Sequence, residues 1–75
     1  MSSTDAINSF ANKNGLFVDW TFTSELAGAP NPVLWTCTCF VGNKTYVGGA
    51  FSKQKAAKND ASKLACNDWG VTVQA

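Results

Sequence analysis

From Leu34 to Val41 the side chains alternate, with Trp35, Cys37, Cys39 and Val41 on one face and Thr36, Thr38 and Phe40 on the other. That period of two is the mark of a half-buried strand. Gly42-Asn43 follows at once as a hairpin turn signal, and Lys44-Thr-Tyr-Val-Gly48 resumes an extended pattern. No other stretch constrains the chain so strongly, because a sheet with one apolar face has to be covered by other elements of the same domain.

The flanking sequence offers that cover. Between Phe17 and Leu26, Val18, Trp20 and Phe22 alternate against Asp19, Thr21 and Thr23, which predicts a further half-buried strand. Ala27-Gly-Ala-Pro-Asn-Pro32 interrupts the ladder with two prolines and reads as a loop. Upstream, Ala6, Ile7, Phe10 and Ala11 recur at helical spacing, which predicts a short helix over about 4–13. Ser3 or Thr4 is available as N-cap, Asp5 sits in the positive first turn, and Asn14-Gly15 ends the helix. Downstream, Gly48, Gly49 and Ala50 give a small-residue exit, Ser52 can cap, and Lys53 to Trp69 holds no Gly or Pro before Gly70. The predicted fold is therefore α+β, an α-β-β-β-α two-layer sandwich with a three-stranded antiparallel sheet and both helices on one face. We expect one domain over residues 4–70, with 1–3 and 71–75 as flexible termini.

Size and composition agree with this. A chain of 75 residues, 45% hydrophobic and only 15% charged, has room for one small core, which excludes disorder, a coiled coil and a two-domain enzyme. Its three Trp and five Phe should nearly all serve that core, since a domain of this size buries only about 60% of its unfolded surface. No run approaches the roughly 18 apolar residues of a membrane span, and the N-terminal residues lack the pattern of a signal peptide. The expected setting is intracellular, in cytoplasm or nucleus, without a membrane partner. A net charge of +1 says nothing about partners, but Lys53, Lys55, Lys58 and Lys63 are gathered within one short stretch.

Catalytic and metal chemistry finds no footing in the residues. With no His and only a Cys-x-Cys among three cysteines, a tetrahedral zinc set is not provided, and the alternation turns Cys37 and Cys39 toward the core. A Ser or Cys nucleophile would lack its commonest general base, and the acids pair in no spacing suited to two-carboxylate catalysis. We expect no enzyme activity, no metal, no cofactor and no small-molecule substrate. Trp20, Trp35 and Trp69 read as core rather than as stacking platforms for single-stranded bases.

Three stretches in order carry a resemblance: Phe10-Ala-Asn-Lys-Asn-Gly-Leu16, the run from Trp35 to Gly48, and Ser52-Lys-Gln-Lys-Ala-Ala-Lys-Asn-Asp-Ala61. Together with the element order, they resemble the double-stranded-RNA-binding domain family from Thr4 to Trp69. The resemblance implies a module that docks on A-form RNA by shape, spanning about 16 base pairs across two minor grooves and the major groove between them.

It also implies where contacts fall. In helix 1 the family places a Glu or Gln facing the minor groove, and the matching stretch offers Asn8, Ser9 and Asn12, of which the two amides can bond 2′-hydroxyls. These three also read as a plain solvated face. In the loop, Gly28-Ala-Pro-Asn31 resembles the family's Gly-Pro-Ala-His element, which brings in Pro30 and puts Asn31 in the His position, without its charge.

In helix 2 the family pattern is Lys-Lys-x-Ala-Lys. Counting from Ser52 puts Asp60 where the family has a buried Ala, which would strand a charge in the core. Shifting by one residue makes Ala57, Ala61, Ser62, Ala65, Cys66 and Trp69 a single buried stripe. The pattern then reads Gln54-Lys55-Ala56-Ala57-Lys58, with Lys53 standing beside the Gln. Lysines in the first turns of a helix can reach phosphates across the major groove. The implied partner is double-stranded RNA. The alternative is a degenerate member serving protein-protein contact or dimerisation, with another protein or a second such domain; Phe40, facing outward, is the residue to inspect for it.

Overall fold

In the computed structural model, residues 2–26 and 33–73 are described. They form α1 (Ser3–Lys13), β1 (Val18–Leu26), β2 (Val33–Val41), β3 (Lys44–Phe51) and α2 (Gln54–Trp69). The strands make an antiparallel meander in the order β1-β2-β3. Cys37, Cys39 and Val41 of β2 are buried in one cluster with Ala6 and Ile7 of α1 and Ala57, Ala61, Ala65 and Cys66 of α2. Both helices therefore cover the same face, and Thr21 and Thr23 on the other face of β1 are exposed. This is the α+β sandwich that the alternation predicts. Among the described residues, no helix is long and apolar enough to cross a membrane.

Helix α1 starts one residue earlier than its sequence suggests. Ser2, not Ser3 or Thr4, is the N-cap, its hydroxyl accepting the Asp5 N–H at 3.1 Å. Ser3 is buried and its carbonyl faces the Cys66 thiol at 3.5 Å, while the Thr4 hydroxyl is engaged by Ser62. At the other end Gly15 takes φ +64°, and Leu16 N–H reaches Ala11 O at 2.8 Å, the six-to-one closure that glycine permits without strain.

Strand β3 corrects a second expectation. Gly48, Gly49 and Ala50 are not an exit loop but part of the strand, which runs on to Phe51. Thr36 pairs with Ala50 and Thr38 with Val47, so Cys37 faces two residues, Gly48 and Gly49, across a β-bulge. The Gly49 N–H donates to Asp60 Oδ2 at 2.8 Å. Asp60 thus stands at the rim of the helix-sheet contact rather than in the core, and the buried stripe is the shifted one: Ala57, Ala61, Ser62, Ala65 and Cys66.

Helix α2 begins at Gln54, with Lys53 as N-cap in the extended conformation (φ −123°, ψ 138°) and no side-chain cap bond. Ser52, expected to cap, stands one residue too early. Because Lys53 already has cap geometry, Lys53→Ser supplies the missing acceptor and should raise stability by about 1 kcal/mol in urea denaturation. An unchanged midpoint would mean that water already serves those N–H groups as well. The helix closes at Gly70 (φ +70°), and Val71 N–H returns to Cys66 O at 2.8 Å.

Candidate nucleic-acid interface

The two helices present the predicted residues in two groups. On α1, Asn8, Ser9 and Asn12 are all exposed, and Asn8 and Asn12 stand one turn apart on one face. On α2, Gln54 and Lys55 are exposed and Lys58 is half-buried, while Lys53 lies exposed at the cap. Lys53, Lys55 and Lys58 border one cleft of about 710 Å³, closed on its other side by Ser2, Thr4 and Asp5 at the start of α1. Gln54 does not line this cleft. Pro30 and Asn31 lie outside the described residues.

Three ammonium groups meet a single carboxylate, Asp5, around this cleft. Among the described residues the ion pair present is Lys44–Asp68, so none of these three lysines is neutralised by one. Lys58 is nonetheless held in place: its ammonium lies 4.5 Å from the centre of the Trp20 ring. The indole is anchored in turn, with Nε1–H donating to Ser62 Oγ at 2.9 Å. Ser62 is fully buried and its hydroxyl donates to Lys58 O at 2.8 Å. Its one proton is thereby used, so Thr4, at 3.1 Å, is the donor in their contact. Three elements, α1, β1 and α2, meet at this one hydroxyl.

The double-stranded RNA binding motif model matches residues 4–68. The chain belongs to that family. Comparison with curated proteins gives no match. The double-stranded RNA binding motif is a binding domain rather than a catalytic one, and it implies double-stranded RNA as the partner.

Within the motif, Lys44 behaves differently from the helix lysines. It pairs with Asp68 at 3.1 Å and lies 5.2 Å from the centre of the Trp69 ring, at the other end of α2. Asp68 Oδ2 also accepts the Tyr46 hydroxyl at 2.5 Å. That hydrogen bond, then Lys44, holds the Asp68 carboxyl below its ordinary value. Burial first, and the bond to Asp68 next, push the Tyr46 phenol up to about 12. These three side chains tie β3 to the last turn of α2. The cysteines are structural as well: Cys37, Cys39 and Cys66 are free thiols in the core, and burial raises all three, Cys39 to about 12.

Trp20, Thr4 and Ser62 were not legible as neighbours of the lysine cluster. The one signal was Ser62 itself, a polar residue inside an apolar stripe, since a buried hydroxyl requires partners.

Proposed function

We propose that this domain binds double-stranded A-form RNA by shape, with little sequence preference. Lys53, Lys55 and Lys58 contact phosphates, helped by Gln54. Asn8, Ser9 and Asn12 of α1, and Pro30 and Asn31 between β1 and β2 in the sequence, meet 2′-hydroxyls in the minor grooves. The observation that carries this reading is the convergence of the three lysines, free of carboxylate pairing among the described residues, on one cleft at the start of both helices. Affinity is modest, because the chain has no Arg and a net charge of only +1.

Titration with an RNA duplex and a DNA duplex of equal length tests it. RNA should be preferred, because 2′-hydroxyls and A-form groove spacing are what the asparagines read. Affinity should fall with salt along a log-log slope of roughly −2 to −3, from about three neutralised phosphates. Equal binding of both duplexes defeats the reading, and a much steeper slope would move the basic surface elsewhere.

A protein-binding role is the second reading, and one observation favours it. Val47 on the edge strand β3 is 59% exposed and Leu64 on α2 is 41% exposed, and both border the shallow hollow between these elements. Phe40, the residue flagged for this role, is half-buried between Asp19 and Thr45 and adds little apolar surface.

A further inference from the structure

Lysine is a costly residue to use as a fixed contact, because its long flexible stem loses rotamer entropy when it is held. Of the three lysines at the cleft, Lys58 alone is held against an aromatic face, 4.5 Å above Trp20. The ring is itself fixed, since its N–H is bound at 2.9 Å to a fully buried hydroxyl that also holds the Lys58 carbonyl at 2.8 Å. Backbone and side chain of Lys58 are thus both referred to one point, Ser62. Trp20 comes from β1, so the strand sets where this ammonium stands relative to α1 across the cleft.

We propose that Trp20 is a positioning residue for RNA binding: it holds the Lys58 ammonium at the cleft in the free protein, so that the contact to phosphate forms with the side chain already ordered. The inference rests on the RNA-binding reading above and goes beyond it. In this role Trp20 acts through Lys58: one face of the ammonium rests on the ring, and among the described residues no carboxylate pairs with it. Ser62 serves the same end one step further back, by fixing the plane of the indole.

The test begins with the free protein. Ring current should move the Lys58 ε-methylene protons upfield of those of Lys53 and Lys55 in the NMR spectrum, and Trp20→Leu should erase that shift. Normal positions for the Lys58 protons in the parent would overturn the proposal without any RNA being added. Trp20→Leu should then weaken duplex RNA binding by about two- to fivefold, the range of an exposed cation-π contact. In a Lys58→Ala background the same change should cost nothing further. An equal loss in both backgrounds means that Trp20 acts through the fold, and overturns the positioning role.

Should Trp20→Leu fail to fold, Trp20→Phe retains a ring but loses the bond to Ser62, and should give a smaller upfield shift together with a smaller loss of affinity. A folded Trp20→Phe protein that lacks the shift but binds RNA like the parent overturns the proposal. Lys55→Ala separates the two levels, because Lys55 touches neither Trp20 nor Ser62. If Lys55→Ala weakens RNA binding and Trp20→Leu does not, the positioning role has failed alone. If Lys55→Ala and Lys58→Ala both bind like the parent, the RNA-binding reading has failed and the positioning role falls with it.

Discussion

Lys55→Ala combined with Lys58→Ala should reduce duplex RNA affinity by about 100-fold or more while the domain stays folded. On the proposed reading each lysine supplies a charge-assisted contact of about 1.5 kcal/mol or more, and two such losses multiply. The salt dependence should change with them, from a log-log slope near −2.7 for about three phosphates to about −0.9 for the one left to Lys53. The two substitutions differ in what they do to the fold. Lys55 is exposed and engaged by no partner among the described residues, so its loss should move stability by about 0.5 kcal/mol or less. Lys58 covers the Trp20 ring, and removing it forfeits about 0.5–1 kcal/mol of cation-π contact as well. Fluorescence titration and thermal unfolding on the same samples separate the two effects. A folded double variant that binds RNA like the parent would remove the α2 lysines from the function. The hollow between Val47 and Leu64 would then become the surface to pursue.

Much of this arrangement was legible because it depends on short-range periodicity. The alternation through Trp35, Cys37, Cys39 and Val41 settles which face of β2 is covered, and the Ala57-Ala61-Ala65 spacing settles which face of α2 covers it. The avoided burial of Asp60 was enough to choose the register of the lysine motif, since a carboxylate without a partner is not tolerated in a small core. What was not legible involves choices between equals or contacts between distant residues. Ser2, Ser3 and Thr4 are all competent caps, and only the docking of Ser3 and Thr4 against α2 leaves the role to Ser2. Gly48-Gly49 reads locally as a break, and the bulge that keeps these residues in the strand depends on a carboxylate eleven positions away. Lys58 and Trp20 are joined by nothing in the local sequence; they meet because the Trp20 indole of β1 docks on Ser62, one turn along α2 from Lys58.

The largest effect on stability is expected at Gly48, where the backbone of α2 leaves no room for a side chain on β3. A Cβ there would stand 2.8 Å from Asp60 Oδ2, 3.1 Å from Ala61 N and 3.4 Å from Ala61 Cα. The first of these atoms ends a flexible side chain, but it is held by the Gly49 N–H at 2.8 Å. The other two are helix backbone and cannot rotate aside. Gly48 does not adopt positive φ, so the penalty for Gly48→Ala is one of packing alone, about 1–3 kcal/mol, and Gly48→Val should exceed it. That is a large share of the roughly 4–11 kcal/mol that a domain of this size has in total. Gly49→Ala is the control. Its Cβ would find its nearest neighbour at 3.7 Å, an ordinary contact, so stability should hold or rise slightly as the unfolded chain loses freedom. Urea denaturation should therefore separate two adjacent glycines by more than 1 kcal/mol at an unchanged m-value. If the two alanine variants unfold together, α2 does not sit this close to β3. If they separate, the small residues of β3 and α2 are what let the helix approach closely enough to hold Lys55 and Lys58 beside the start of α1.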